Sequence, residues 1–312
     1  MNKLAVVAFG GNALLRSGQK GTIDEQEKNV YDSCKSLVNL IRQGKDLIIA
    51  HGNGPQVGNV LLQHEAGHKT FGIPKMPMDV CVAETQGSIG YLIEQQLHNV
   101  LAENGIKKNI VTLITQVIVD KNDPAFEKPS KPVGPYYSEQ EAYNMEHERG
   151  WKFKKDPAGR GWRRVVASPV PVDIKNKNLA EDLARRGNIV ITVGGGGIPV
   201  YYRENGNLMG IDAVIDKDLA SATLATDIGA DEFYILTDVP GVYINFNTPE
   251  QRKLEEISVE EAKKHLAGGQ FAEGSMAPKI RAGIMFAEKG KGRTIITETT
   301  MLGKDGEGTV IC

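Results

Sequence analysis

Short apolar runs and segments of helical periodicity alternate along most of the chain. Leu4–Phe9 is unbroken apolar, short enough for a strand buried on both faces. Residues 24–43 carry Val30, Cys34, Leu37, Val38 and Ile41 on one helical face, and Gly44 closes that helix. Residues 47–50 form a second apolar run. Pro55 then suits the first turn of a helix that Val57, Val60, Leu61 and Leu62 turn inward. A long helix is expected over residues 79–104, with Ile89, Leu92, Ile93, Leu97, Val100 and Leu101 as its stripe. Its Gly87, Ser88 and Gly90 lower helix propensity and fit either close packing on a second subunit or an ordinary buried helix. Residues 110–119 read as one strand.

The alternation is interrupted over residues 121–171 and then resumes. Seven of the 14 prolines and both tryptophans, Trp151 and Trp162, fall in that segment. It is too rich in proline for the main sheet and too aromatic for a disordered linker. An inserted subdomain with its own small core is expected, of the kind that often serves as a lid. Beyond it come a helix near 175–186, a strand over 189–193, and a hairpin over 199–209 turning at Asn205-Gly206. A helix to about 228 and a strand over 233–236 follow. Ser258 and Glu261 make a capping box, Ser275 is expected to cap a helix carrying Met276, Ile280, Ile284 and Ala287, and strands are expected over 294–297 and Thr309–Ile311. Strands alternating with helices predict an α/β fold, a mainly parallel sheet covered on both faces.

Composition narrows the partners. With 37 basic and 39 acidic residues the formal charge is −2, which points to neither nucleic acid nor an anionic membrane surface. Cys34, Cys81 and Cys312 are scattered and odd in number, so neither a disulfide framework nor a metal site is expected. With no signal peptide and no bilayer-length apolar run, the expectation is a cytoplasmic protein.

Three apolar runs end in glycine. Gly10-Gly11-Asn12 follows the first, His51-Gly52-Asn53-Gly54-Pro55 the second, and Gly194, Gly195, Gly196 and Gly197 follow residues 189–193. One such end is an ordinary tight turn; three suggest a shared anion site beyond the carboxyl ends of the strands. The P-loop, the dinucleotide fingerprint, the protein-kinase signatures, zinc spacing and the nucleophile elbow are all absent. Glycine loops, lysines and aspartates remain, an inventory suited to phosphoryl transfer. Lys217 lies between two carboxylates at a helix start and Lys279 in the first turn of another helix. A cation there opposes the helix dipole, so something anionic is expected nearby.

Gly10-Gly11-Asn12-Ala13 after a strand, and Thr237-Asp238-Val239-Pro240-Gly241-Val242-Tyr243, resemble the amino-acid kinase family. The stretches beginning at His51, Lys131, Asp156 and Ala213, together with Gly274-Ser275-Met276-Ala277-Pro278-Lys279, narrow the likeness to the carbamate kinases, in order and over essentially the whole chain. Pro157 and Ala277 depart from the usual pattern and remove no charged group. The resemblance implies a three-layer α/β/α sandwich with an inserted lid at about 121–171. It implies a carbamate-binding N-terminal lobe at 1–209, a nucleotide-binding C-terminal lobe at 210–312, and a homodimer. It implies reversible phosphoryl transfer between ATP and carbamate, giving ADP and carbamoyl phosphate, often used for ATP synthesis in arginine catabolism.

By the same resemblance Lys131 reaches down from the insertion to the transferring group. Lys217 and Lys279 bind that group from the nucleotide side, and Asp218 orients the lysines, with Asp216 a weaker candidate. Gly10, Gly11, Asn12, Gly52, Asn53, Gly194, Gly195 and Gly196 hold carbamate and the moving phosphoryl. Thr237, Asp238, Val242 and Tyr243 lie on the nucleotide side, with Met276 and Pro278 against the adenine. Mg²⁺ arrives with ATP, held by phosphates and water, and no protein ligand is assigned. The rivals are another acyl-phosphate kinase, such as acetylglutamate kinase, and a non-catalytic regulator; retention of Lys131, Lys217, Asp218 and Lys279 favours an enzyme.

Overall fold

The structure, a computed structural model, describes residues 2–16, 18–156, 159–290 and 292–312; the side chain of Asn12 also lies outside the description, as do Pro157 and Ala158 of the Asp156 motif. At its centre is an eight-stranded sheet. Its order is Glu256–Ile257, Thr309–Ile311, Arg293–Glu298, Glu232–Thr237, Leu4–Phe9, Asp46–His51, Ile189–Ile191 and Ile110–Thr112. The last six are mutually parallel, and Thr309–Ile311 runs antiparallel to Arg293–Glu298.

Alternate residues of Leu4–Phe9 enter opposite cores, which is why the run is apolar throughout. Leu4, Val6 and Ala8 join one core with Ala180, Leu224 and Ile280 of the helices Lys177–Arg185, Lys217–Asp227 and Met276–Lys289. Ala5, Val7 and Phe9 join the other with Leu37 and Ile93 of the helices Ile23–Arg42 and Met78–Glu103. The result is the expected α/β/α sandwich. Among the described residues no helix is long and apolar enough to cross a membrane.

The proline-rich segment folds beside this sandwich. Lys131–Tyr137, Trp162–Val166 and Lys152–Lys155 form a three-stranded antiparallel sheet with the helix Glu139–Arg149 against it. Tyr137, Ala142 and Phe153 are its small core, flanked by Met145, Trp151 and Trp162. Strands Gln116–Val119 and Pro171–Ile174 bracket it as antiparallel neighbours, so the excursion leaves and returns at adjacent positions.

Several boundaries differ from expectation for identifiable reasons. The run 110–119 is two strands in two sheets, because Thr115 turns inward between them: its N–H donates to Gln86 Oε1 at 2.7 Å, and its hydroxyl meets that of Thr192 at 2.5 Å. Strand 189–193 stops at Ile191, since Val193 takes a left-handed φ of 54°. Ser275 stands at the start of Met276–Lys289 but its side chain makes no capping bond. The hairpin Val242–Ile244 with Arg252–Leu254 was not anticipated. Gly90 packs within its own chain, where a Cβ would lie 2.3 Å from Thr112 Cγ2, while Gly87 has nothing within 4 Å.

Candidate active site

Leu4–Phe9, Asp46–His51 and Ile189–Ile191 are adjacent and parallel, so their glycine-bearing ends share one edge of the sheet. There Gly11, Gly52, Asn53, Gly54, Gln56, Gly195, Lys131 and Lys217 line a cavity of about 170 Å³, with Leu14, Pro55, Val214 and Ile215. The helix Gly54–Phe71 points its N-terminus into it, supplying free N–H groups and the positive end of its dipole. Gly10, Gly194 and Gly196 are chain neighbours of the lining residues Gly11 and Gly195 and do not themselves line the cavity. The tetraglycine turn is tightly packed: a Cβ on Gly194 would lie 2.4 Å from His51 Nε2, on Gly195 2.2 Å from Asn53 Nδ2, and on Gly196 2.3 Å from the Ile215 carbonyl oxygen. Gly195 and Gly196 also hold positive φ, so glycine is needed there for conformation as well as space.

The lysines meet around two aspartates at the start of the helix Lys217–Asp227. Asp216 caps that helix by accepting from the N–H groups of Asp218 and Leu219. Its other oxygen takes Lys131 Nζ at 2.6 Å, so the lysine of the insertion is held over the cavity from the far side. Asp218 is almost fully buried and accepts from Lys217 through one oxygen and from Lys279, at 3.0 Å, through the other. Burial alone would raise the Asp218 pKa, but the two ammonium groups overcome it and hold the carboxylate below its usual range. Burial lowers the pKa of Lys217, and repulsion from Lys279 adds to that against the pull of Asp218. Lys279 moves the other way, because Asp218 outweighs its desolvation. The anion expected beside these two helix-start cations is therefore Asp218 in the first instance. The stem of Lys217 passes close to Gly52, where a Cβ would lie 3.2 Å from Lys217 Cδ. Its ammonium thereby links the glycine-lined cavity, through Asp218, to Lys279.

Beyond Lys279 lies a second cleft, of about 540 Å³. Thr237, Asp238, Tyr243 and Met276 line it, joined by Phe246, Gln270 and Phe271. The rings of Tyr243 and Phe246 are 6.1 Å apart. Its size suits a larger ligand with a flat apolar part, whereas the glycine-lined cavity suits a small anion.

The chain matches the sequence profile of the amino acid kinase family over residues 3–298. Carbamate kinase of Thermococcus kodakarensis is 50% identical over 295 residues, covering 94% of this chain and 93% of the relative. That of Pyrococcus furiosus is 50% identical over 296 residues, covering 95% and 94%. The chain belongs to the carbamate kinases of the amino acid kinase family. The structure of carbamate kinase from Giardia lamblia bound to AMP-PNP superposes with a TM-score of 0.90 at 42% identity, covering 99% of this chain and 98% of that one.

Against that membership, most of the residues expected from sequence converge. Lys131, Lys217, Asp218 and Lys279 form one connected cluster, with Asp216 more closely engaged than its secondary billing suggested. Val242 and Pro278 do not line the aromatic cleft; Val242 is fully buried, its N–H donating to Thr309 Oγ1 at 2.8 Å. Arg160 and Arg163 of the insertion do not enter the glycine-lined cavity: both guanidinium groups lie over the Tyr136 ring, and Arg160 pairs with Asp156. Sequence reasoning passed over His51 and Gln56 although both stand in the second glycine motif. His51 is buried, its Nδ1 3.0 Å from the Gly52 carbonyl oxygen, and burial lowers its pKa to about 4, leaving it neutral. Gln56 lines the cavity, and its Oε1 is buried without a hydrogen-bond partner among the described residues.

Proposed function

We propose that this chain transfers a phosphoryl group reversibly between ATP and carbamate, with carbamate in the glycine-lined cavity and the nucleotide in the aromatic cleft. The observation that carries this reading is the size and lining of the acceptor cavity. At about 170 Å³ it is smaller than the ~300–1,000 Å³ of pockets for drug-sized ligands, and among the described residues no arginine lines it to receive a second carboxylate. An acylated amino acid is poorly served there. Carbamate is already an oxyanion, so attack on the γ-phosphorus needs no general base. One P–O bond forms to a carbamate oxygen while the bond to the β–γ bridging oxygen breaks, and ADP leaves. The difficulty is bringing two anions together. Lys131 on one side, and Lys217 with Lys279 on the other, offset the charge that spreads over the phosphoryl oxygens. Asp216 and Asp218 hold these ammonium groups in place beforehand. Gly11, Gly52 and Gly195 line the cavity, and their backbone N–H groups are proposed to hold the acceptor together with Gly10, Asn12, Gly194 and Gly196 around them.

Mg²⁺ is proposed to enter as the nucleotide's own complex. Asp216 and Asp218 are occupied by lysines, Asp238 is a single carboxylate on the cleft wall, and no group of three metal-ligating side chains occurs among the described residues. That donor set suits an ion carried by phosphates and water. A homodimer, a cytoplasmic location, and use of the reverse reaction to make ATP during arginine breakdown belong to the same proposal, as do the lobes at 1–209 and 210–312 and a lid at 121–171. The discriminating experiment is a coupled assay of ADP formation with bicarbonate plus ammonia, acetate or N-acetylglutamate as acceptor source. Strong preference for the carbamate source and no turnover of N-acetylglutamate are expected. The Asn53 side chain, whose Nδ2 donates to Thr85 at 2.9 Å, keeps its carbonyl for the carbamate nitrogen. Rates with N-acetylglutamate comparable to those with carbamate overturn the assignment.

A further inference from the structure

We infer that Gly58 and Gly134 form a backbone seat that sets how far Lys131 reaches, and are positioning residues for phosphoryl transfer. The inference rests on the role proposed above for Lys131. Gly58 lies in the second turn of the helix Gly54–Phe71, whose first residues line the acceptor cavity. Gly134 lies three residues after Lys131 in the strand Lys131–Tyr137. A Cβ at position 58 would stand 1.8 Å from Gly134 Cα and 2.2 Å from its nitrogen, so helix and strand touch backbone to backbone. Gly134 has a φ of +72°, and a Cβ there would meet Gly58 no closer than 3.4 Å. The two glycines are thus required for different reasons, Gly58 for space and Gly134 for conformation. Gly67, farther along the same helix, is unlike either: a Cβ there meets only Ile73, at 3.8 Å.

The surroundings make the contact a fixed point. Val57 and Val214 of the body and Val133 and Val166 of the insertion share one buried cluster around it. Seven residues beyond Gly58, on the same helical face, Glu65 takes Arg149 of the insertion at 2.9 Å. From this seat the strand runs about 10 Å to Lys131, whose ammonium ends 2.6 Å from Asp216. One methyl group at position 58 must push the strand outward by roughly 1.5–2 Å to restore ordinary carbon–carbon separation. Lys131 moves with it, and a misplacement of about 1 Å at reacting groups can cost on the order of a hundredfold in rate.

The test is a double-mutant cycle read as ATP synthesis from ADP and carbamoyl phosphate, with thermal melts run alongside. Gly58→Ala is expected to lower kcat about tenfold or more while leaving the KM for ADP within about twofold, and Gly67→Ala is expected to match wild type. In a Lys131→Ala background Gly58→Ala should cost no more than about a further twofold, because the seat acts through that lysine. A folded Gly58→Ala enzyme with wild-type kcat overturns the seat, and so does an equal loss in both backgrounds. If Lys131→Ala alone keeps wild-type turnover, the role of Lys131 fails first and separately, and the seat falls with it. Should Gly58→Ala not fold, Gly134→Ala strains the same contact without overlap and enters the same cycle, with the same loss confined to the Lys131 background expected.

Discussion

Asp218 is the residue on which the lysine cluster turns. Two ammonium groups share one nearly buried carboxylate, and each of them lies near a helix N-terminus where a cation is disfavoured. The carboxylate, with Asp216 nearby, makes the arrangement tolerable, and in the proposed reaction the transferring phosphoryl group takes up the same two cations. Lys217→Ala or Lys279→Ala should lower kcat by roughly a hundredfold or more, as for loss of one preorganised donor, while the fold survives. Steady-state kinetics with a circular-dichroism melt decides this, and near-normal turnover in either folded variant removes that lysine from the mechanism. His51 supplies a stability signal instead. Its folded pKa, about 4, lies below the ordinary 6.5, so the unfolded chain binds a proton that the native one refuses. The stability it contributes is present above pH 6.5 and is lost as pH falls from there towards 4, by up to about 3 kcal/mol. Denaturant midpoints at pH 7 and pH 5 should therefore differ in wild type. The difference should shrink in His51→Gln, and an unchanged slope there assigns it to other groups.

At the scale of elements, the insertion has two parts with different attachments. Its inner end, Val133 and Val166, is buried with Val57 and Val214 of the body, whereas Tyr137, Ala142 and Phe153 form a core of their own. A moving lid therefore hinges beyond the seat, and its outer part is the part expected to move. Backbone hydrogen exchange between residues 137 and 162 should slow when ADP and a carbamoyl phosphate analogue bind together, while residues 131–134 change little. Unchanged protection throughout argues for a rigid insertion. The helix Gly54–Phe71 joins these elements: one end lines the glycine-lined cavity, its second turn carries the Gly58 contact, and its later turns hold Arg149 through Glu65.

At the scale of the molecule, what the chain encodes locally and what it encodes only in three dimensions separate cleanly. The apolar run Leu4–Phe9, the stripe from Val30 to Ile41 and the three glycine ends were legible because strand burial, helical period and glycine's φ freedom each leave a local pattern. Lys131, Lys217, Asp218 and Lys279 were legible through family resemblance. Their pairing was not, since Lys131 and Asp216 are 85 residues apart in sequence. The split of residues 110–119 between two sheets was hidden because Thr115, amid apolar neighbours, is satisfied by Gln86 and Thr192 from distant elements. The aromatic wall of Phe246 and Phe271 escaped notice because neither residue belongs to a periodic segment. The Gly58 contact is the clearest case. Helical period cannot tell a glycine that faces open space from one pressed against another backbone. Sequence alone thus determined most of the main-sheet elements, their α/β order and the chemical inventory, all set by short-range sterics and burial. The tertiary structure alone decided which lysine meets which carboxylate, how small the acceptor cavity is and where the insertion rests, because those depend on distances between segments that no local pattern records.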